Sequence, residues 1–190
     1  MTERFIFVEP NIENGEIINS FFYKNNPDSV AVKPHICLVF PFKSDLDISV
    51  INEVIEKTMN KYKDFEIQLE GLSLSYEENN NFLFLNVIDE NNILKNMCEE
   101  LYSLLGDNAT LRGEYTPHIT IGKSKSINDI NKMYSEAKEL LKGKFNASIS
   151  SVNSKIIIEE NEKLYLEDEI TYDLLNKKTN KSRWFFERWI

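Results

Sequence analysis

The chain has 190 residues, 42% of them hydrophobic, which is enough for a sizeable core and short enough for a single domain. Its formal net charge of −9 argues against a general affinity for polyanions, because nucleic-acid binders usually present a basic face, so any phosphate site must be local. We expect neither export nor membrane insertion, since no apolar run approaches the length of a membrane span, and two cysteines without metal-like spacing indicate a reduced, cytoplasmic protein.

The first half of the chain is predicted to alternate strands with helices. Helical spacing of apolar residues is clearest over 44–62, where Ser44 or Asp45 is the expected N-cap. Gly71 interrupts an alternating pattern that resumes in the opposite phase, which predicts a bulge or bend. The predicted elements are a strand at 4–8, a helix at 15–24, a strand at 31–40 ended by Pro41, the helix at 44–62, a strand pair at 65–74 and 82–88, and a helix at 92–105.

The second half of the chain repeats this order. The consecutive isoleucines 156–158 are typical of a strand that is buried on both faces. Because helices alternate with strand pairs twice over, the order fits a duplicated α+β architecture. The predicted elements are a loop at 106–114, a strand at 116–122, a helix at 127–141 ended by Gly143, and strands at 145–159 and 164–174.

Two short predicted strands look like copies of one another, and they contain the only two histidines of the chain. Residues 33–40 read KPHICLVF and residues 116–122 read TPHITIG. Alternate side chains of a strand share a face, so His35 points with Cys37, and His118 points with Thr120. Each strand therefore offers an imidazole and a small polar neighbour to one side and its aliphatic residues to the core.

Histidine titrates near neutral pH, so two histidines that face one cleft can act as base and acid. The alternative for each ring alone is a hydrogen-bonded residue of the core or of a strand edge. The repetition of the pattern around both His35 and His118 favours the catalytic interpretation. A metal site is less favoured, because two histidines without nearby carboxylates make a poor ligand set.

The paired motifs, His-x-Cys-apolar and His-x-Thr-apolar about eighty residues apart, resemble those of the 2H phosphoesterase superfamily. Its members include 2′-5′ RNA ligase-like proteins and RNA 2′,3′-cyclic phosphodiesterases, and the likeness covers most of residues 1–175. The resemblance implies a bilobal, pseudo-two-fold α+β fold with two antiparallel sheets flanked by helices around a central cleft. It also implies chemistry without metal or cofactor, with His35 and His118 catalytic and Cys37 and Thr120 binding the phosphate.

Cys37 departs from the family pattern, which has threonine or serine at this position. A thiol is a weaker hydrogen-bond donor than a hydroxyl, so one of two symmetric phosphate contacts is weakened. Backbone N–H groups and Thr120 can still hold an oxyanion. The alternatives are a catalytically altered or weakened protein, or a cysteine that is merely a small buried hydrophobe.

Three residues near the second motif are candidates for substrate binding. Arg112 lies in the loop before it, where a guanidinium can clamp phosphate, although it can equally be a solvated loop charge. Tyr115 is a candidate for stacking on a base or for capping the strand. Lys123 follows the motif and adds positive charge near the expected cleft.

The C-terminal segment 176–190 differs in composition from the preceding residues 1–175, and we treat the two as separate parts. Its charged residues give a net charge of +4, which leaves −13 on residues 1–175. Basic residues between aromatic ones can bind a nucleic-acid strand. The favoured alternative is that the segment packs on its own acidic domain, and a dimer contact is a third. The aromatic residues are Trp184, Phe185, Phe186 and Trp189.

The sequence therefore predicts a metal-independent hydrolase that acts on a 2′,3′-cyclic phosphate or a 2′-5′ phosphodiester. Its expected partner is an RNA terminus or a small cyclic-phosphate nucleotide. The main alternative is a binding module of the same fold, weakened as a catalyst by Cys37. A third is an interaction protein that acts through its aromatic tail. The physiological substrate, the choice between hydrolysis and ligation, the histidine that acts as acid and the oligomeric state stay open.

Overall fold

Strands dominate the architecture, which is known from a computed structural model that describes residues 1–111, 113–160 and 163–180. Over these ranges the chain forms ten strands and four α-helices, with 3₁₀ turns at Pro27–Val30 and Gly106–Asn108. The strands are β1 (Thr2–Val8), β2 (Asn11–Ile12), β3 (Ile36–Ser44), β4 (Phe65–Tyr76), β5 (Asn81–Ile88), β6 (His118–Ser124), β7 (Phe145–Ile149), β8 (Ser151–Glu160), β9 (Lys163–Asp173) and β10 (Lys178–Asn180). The helices are α1 (Glu16–Asn25), α2 (Ile48–Met59), α3 (Ile93–Leu105) and α4 (Ile127–Leu140).

Two five-stranded antiparallel sheets form the two lobes, which confirms the predicted fold class. The first has the order β10-β9-β8-β1-β3, and the second has the order β2-β7-β4-β5-β6. The motif strands β3 and β6 each lie at the edge of their sheet, and they approach one another. Helices α2 and α3 pack on the first sheet, and α1 and α4 pack on the second. The cleft is therefore built from equivalent edges of two similar lobes.

The lobes do not correspond to consecutive halves of the chain. Strand β1 pairs with β3 on one side and with β8, from near the other end of the chain, on the other side. Helix α1 packs against β6, and β2 pairs with β7, so early elements also contribute to the second lobe. The duplicated order predicted from the sequence is present, but the two copies are interleaved.

The prediction that Pro41 ends the first motif strand was wrong, because β3 continues to Ser44. The register of β1 against β3 shifts between Arg4, which pairs with Phe42, and Ile6, which pairs with Val39. Pro41 therefore lies in a bulge of an edge strand, where its missing N–H removes no ladder hydrogen bond.

A bulge also occurs in β4, where it was predicted. The register against β5 shifts between Leu69 and Leu72, and Gly71 adopts a φ of +80°. This left-handed conformation is accessible to glycine without strain. By contrast, the isoleucines 156–158 are half-buried or exposed rather than buried on both faces. Helices α2 and α3 pack on the sheet that contains these isoleucines. The prediction was wrong because it treated consecutive apolar residues as a sign that both faces of the strand are covered.

Helix α2 begins later than predicted, and its N-cap is Asp47 rather than Ser44 or Asp45. The Asp47 carboxylate accepts a hydrogen bond of 2.8 Å from the backbone N–H of Ser49. Ser44 instead accepts a hydrogen bond of 3.0 Å from the guanidinium of Arg4. Ser44, which the sequence predicts as a helix cap, therefore provides a hydrogen-bond acceptor for the buried Arg4 instead.

A buried ion pair connects β1 and β9 of the first sheet across the central strand β8. Arg4 on β1 donates two hydrogen bonds, of 3.0 and 3.2 Å, to the carboxylate of Glu169 on β9. Ser154 on β8 donates a hydrogen bond of 2.8 Å to the same carboxylate. The bidentate geometry and the serine contacts compensate for the desolvation of both charges.

Residues 178–180, near the start of the basic C-terminal segment, are part of the first sheet. Strand β10 pairs with β9, and Thr179 donates a hydrogen bond of 2.6 Å to Glu56 on α2. The rest of that segment, residues 181–190 with both tryptophans, lies outside the described residues. None of the helices in the described ranges has the length and apolarity that crossing a bilayer requires.

Candidate functional site

The two imidazoles are held by matching hydrogen bonds. The Nδ1 atom of His35 lies 2.8 Å from the carbonyl oxygen of Lys33, and the Nδ1 atom of His118 lies 2.8 Å from the carbonyl oxygen of Thr116. A carbonyl only accepts, so each ring donates from Nδ1 and presents Nε2 as the site that takes up or releases a proton. Neither Nε2 atom bonds to another residue that the structure describes.

The alternation predicted for the motif strands is observed. Ile36 and Leu38 are fully buried on one side of β3, whereas His35 and Cys37 are half-buried on the other. In β6, Ile119 is fully buried, and His118 and Thr120 are half-buried. The core anchors each strand by its aliphatic face and leaves the polar face available to a ligand.

A pair of phenylalanines supports each histidine from the neighbouring strand. Phe5 and Phe7 on β1 stack at 4.7 Å between ring centroids, and the Phe7 ring lies edge-on to His35 at 5.4 Å. Phe82 and Phe84 on β5 stack at 6.1 Å, and Phe84 lies 4.0 Å from His118.

The strand register explains this repeated arrangement. Phe7 pairs with Cys37, and Phe84 pairs with Thr120. In each lobe a phenylalanine therefore lies opposite the candidate phosphate-binding residue and against the histidine. These phenylalanines are not among the site residues predicted from the motifs, although the sequence carries a signal for them in the repeated Phe-x-Phe pattern, Phe5-Ile6-Phe7 and Phe82-Leu83-Phe84.

Burial lowers the pKa of both histidines from the ordinary value of 6.5. For His35 the hydrogen bond to Lys33 and the charge of Glu9 oppose this effect, while the charges of Lys155 and His118 add to it. For His118 the hydrogen bond to Thr116 opposes the effect of burial. Burial is the largest cause of the lowered pKa at both rings, and the charge of His118 is the smallest of the effects on the pKa of His35.

Cys37 is a neutral thiol in this site. Burial raises its pKa to about 12, with a smaller contribution from Cys98 on α3. Its sulfur therefore remains protonated near neutral pH, when it is a weak donor and not a nucleophilic thiolate. Thr120, at the equivalent position of the second lobe, presents a hydroxyl.

Direct hydrogen bonds join the two motif strands to the rest of the cleft. The Tyr115 hydroxyl donates a hydrogen bond of 2.8 Å to the main-chain carbonyl of Cys37. The side-chain amide of Asn26, after α1, donates one of 3.1 Å to the carbonyl of Thr120. Each motif strand is therefore held in its first half by a side chain from a segment outside its own sheet ladder.

The three residues predicted to bind substrate differ in where the structure places them. Tyr115 is only 6% exposed, so its ring offers little surface for a base, and its position is that of a contact between lobes. Lys123 forms an ion pair of 2.8 Å with Asp28 in the turn Pro27–Val30. Arg112 lies outside the described residues, so its candidate role stays a prediction.

Taken together, the site can carry out acid–base chemistry on an anionic group. The two rings, whose Nε2 atoms are available for proton transfer, lie on motif strands that contact one another, and each is beside a small residue that can donate to an oxyanion. In the ranges 1–111, 113–160 and 163–180, no group of three or more His, Cys, Asp or Glu residues is placed to hold a metal ion.

Comparisons with known proteins agree with this arrangement. TT0787 of Thermus thermophilus superposes with a TM-score of 0.61 at 13% identity, covering 90% of this chain and 97% of that one. Kluyveromyces marxianus Usb1 gives a TM-score of 0.58 at 11% identity, covering 87% and 97%. E. coli LigT complexed with 3′-AMP gives 0.57 at 11% identity, covering 90% and 97%. These likenesses show the shared fold.

At the level of sequence, no curated protein matches the chain. A family model does match, over residues 9–151, and its family is the 2′-5′ RNA ligase superfamily. This range contains both histidine motifs, all of the second sheet and strand β3 of the first sheet, and the match confirms the resemblance drawn from the motifs. The chain is a member of the 2′-5′ RNA ligase superfamily.

Proposed function

We propose that this protein is a metal-independent phosphoesterase that acts on a 2′,3′-cyclic phosphate or a 2′-5′ phosphodiester of an RNA end or nucleotide. The observation that carries the proposal is the matched pair of His35 and His118. Each ring donates from Nδ1 to the carbonyl two residues earlier and presents Nε2 for proton transfer. Membership of the superfamily supports the reaction class.

The proposed reaction divides between the two rings. The neutral imidazole takes a proton from water, whose oxygen forms a bond to phosphorus. The protonated imidazole gives its Nε2 proton to the ribose oxygen as the bond between that oxygen and phosphorus breaks. In a transesterification a ribose hydroxyl replaces the water. Each proton transfer of this kind contributes about 10²- to 10⁴-fold to the rate.

The charge that develops on the phosphate is stabilised by groups of both lobes. The Thr120 hydroxyl donates to a non-bridging oxygen, the Cys37 thiol occupies the equivalent position, and strand amides add further donors. Neighbours of the same fold support nucleotides as the ligand class, because E. coli LigT has been solved in complexes with 3′-AMP, ATP and phosphate.

The test uses asparagine replacements of the two histidines. An asparagine amide can keep the hydrogen bond that Nδ1 makes to the carbonyl but has no group that transfers a proton at Nε2. We expect His118→Asn and His35→Asn each to reduce hydrolysis of a nucleoside 2′,3′-cyclic phosphate by at least about a hundredfold. The wild-type rate should be unchanged in EDTA.

The control variant is Lys142→Ala, which removes an exposed ion pair with Glu139 on the surface of the second lobe. It should keep the wild-type rate. Retention of that rate in either asparagine variant, with folding verified by circular dichroism, would exclude the two-histidine mechanism.

The neutral thiol of Cys37 favours a second candidate function, a module that binds a nucleotide or RNA end with little turnover. Cys37→Thr separates the two. A large gain in hydrolysis without a change in ligand affinity would identify a weakened catalyst whose main role is binding. An unchanged or lower rate would show that the thiol suffices for the proposed enzyme.

A further inference from the structure

Strand β9 has an edge that is only partly covered. On one side it pairs with β8 along its whole length. On the other side β10 pairs with residues 171–173 alone. Within the described ranges, residues 163–170 therefore end the first sheet without a neighbouring strand. The proposed reaction at His35 and His118 does not use this edge.

The opposite edge of the same sheet is covered by side chains. There the backbone N–H of Phe40 on β3 donates a hydrogen bond of 3.0 Å to the hydroxyl of Tyr102 on α3, and Tyr115 donates to the carbonyl of Cys37. An open edge presents N–H and C=O groups that can pair with any extended chain, and proteins usually cover such edges. The uncovered part of β9 is therefore a docking surface for an extended segment.

Exposed apolar side chains lie next to this surface. Tyr165 on β9 is 47% exposed, and Ile158, its pair on β8, is 39% exposed. By contrast, Ile170 and Tyr172 are buried, and the Tyr172 hydroxyl donates a hydrogen bond of 2.7 Å to Asn60 at the end of α2. Helix α2 therefore covers the β10 end of β9 and leaves the other end open to a segment with apolar side chains.

The chain itself leads to this edge. Strand β10 runs antiparallel to β9, with Lys178 opposite Asp173 and Asn180 opposite Thr171. A continuation of β10 in the same direction runs along the uncovered part of β9. At about 3.3 Å per residue, that part is about 26 Å long, and residues 181–190 in extended form span about 33 Å. The segment that follows Asn180 is therefore long enough to cover the edge.

The composition of residues 181–190, KSRWFFERWI, suits this position. Aromatic residues favour strands and form stabilising cross-strand pairs. The segment has a net charge of +2, whereas residues 1–180 carry −11, and Glu167 is exposed on the uncovered part of β9. Opposite charge therefore attracts the segment to its own domain.

We propose that residues 181–190 extend β10 along the uncovered edge of β9 and form the outermost strand of the first sheet. The observed register, continued, opposes Phe186 to Tyr165 and Phe185 to Leu166. Phe186 then packs on the exposed pair of Tyr165 and Ile158. The segment protects the edge of its own sheet from pairing with other chains. This inference goes beyond the proposed function and does not depend on it.

The first test is hydrogen exchange of the full chain, followed by NMR. We expect alternate amides of 164–170, and of 182–188, to exchange at least about a hundredfold more slowly than in an unstructured peptide. Phe185→Pro removes a ladder N–H and should return both sets towards the unprotected rate. Ile190→Pro, beyond the residues that face β9, is the matched control and should change neither set. Unchanged exchange in β4 and β5 verifies that the fold is intact.

The second test is disulfide cross-linking, which reports the register. Tyr165→Cys combined with Phe186→Cys should cross-link at least about tenfold more efficiently than Tyr165→Cys combined with Phe185→Cys, because consecutive strand residues point to opposite faces. Burial raises the pKa of Cys37 and Cys98 to about 12, so these two thiols stay protonated and react slowly.

Three results would overturn the inference. The first is unprotected amides in 182–188, or protection of β9 that survives Phe185→Pro. The second is protection that increases with protein concentration and accompanies a dimer, which would assign the edge to the segment of a second copy. The third is protection of 182–188 that appears only when single-stranded RNA is added, which would assign the segment to nucleic acid.

Discussion

The hydroxyl of Tyr115 donates a hydrogen bond of 2.8 Å to the main-chain carbonyl of Cys37, joining the segment before the second motif to the centre of the first. Tyr115 is almost fully buried, and burial raises the pKa of its phenol above the ordinary value, so the hydroxyl stays a donor throughout the physiological range. The bond therefore fixes one motif strand relative to the other.

Tyr115→Phe removes this bond while keeping the ring. The carbonyl of Cys37 then loses a buried partner, which costs about 1–3 kcal/mol. We expect a loss of that size in urea unfolding and a lower kcat, because the two imidazoles are positioned less accurately. Tyr165→Phe, at an exposed position, is the control and should change neither quantity. Equal effects of the two replacements would show that the bond does not hold the lobes together.

The lowered pKa values of His35 and His118 determine the expected pH dependence. Catalysis needs one neutral and one protonated ring, so kcat/KM is greatest between the two free-enzyme pKa values, both of which lie below 6.5. Above them the singly protonated form decreases tenfold per pH unit.

A bound phosphate stabilises the imidazolium and raises its pKa, so the maximum of kcat should occur at higher pH than that of kcat/KM. Initial rates over about pH 4–9 at constant ionic strength measure both profiles. A kcat/KM maximum above pH 7 would contradict the contribution of burial.

Phe84→Leu tests the source of the pKa shift at His118. The Phe84 ring lies 4.0 Å from the imidazole and keeps water from it. A smaller side chain admits water, so the pKa of His118 should rise towards its ordinary value. The chain has only two histidines, so NMR titration of the ring protons resolves each.

The His35 resonance provides an internal reference in that experiment. Phe145→Leu, at a half-buried position of the same sheet, provides the control replacement. Equal shifts at both histidines, or a shift of His118 in the control, would indicate a general loosening of the fold rather than local hydration.

The buried ion pair of Arg4 and Glu169 predicts a large stability effect. Glu169→Gln leaves the Arg4 charge buried without its partner and should lower the free energy of unfolding by about 3–5 kcal/mol. Replacing both residues by apolar ones, Arg4→Met with Glu169→Leu, should cost less than the single change. Glu3→Gln, which breaks a surface pair with Lys43, should cost less than about 1 kcal/mol. Denaturant unfolding distinguishes these outcomes.

The polar face of the site could be predicted from sequence because it depends on local periodicity. A strand alternates its side chains whatever it pairs with, so His35 with Cys37, and His118 with Thr120, share a face in any fold that makes these segments strands. The helices could be predicted for the same reason, within a few residues at each end.

The aromatic and cross-lobe contacts could not be predicted, because they depend on register between distant strands. Phe84 reaches His118 only because β5 pairs with β6 in the observed register. Tyr115 was a candidate for stacking on a base, and its burial follows from how the two lobes pack. Pro41 and Ser44 were interpreted from local rules that an edge bulge and a buried arginine override.

The interleaved order of the first sheet has a consequence for synthesis on the ribosome. Strand β1 is translated before the other strands of its sheet, yet one of its two edges stays uncovered until β8 has been translated. Elements of the second sheet, from β2 to β7, are complete before that point. The second sheet, which carries His118, should therefore be able to fold first. The first sheet, which carries His35, should fold only after β8 and β9 have been translated.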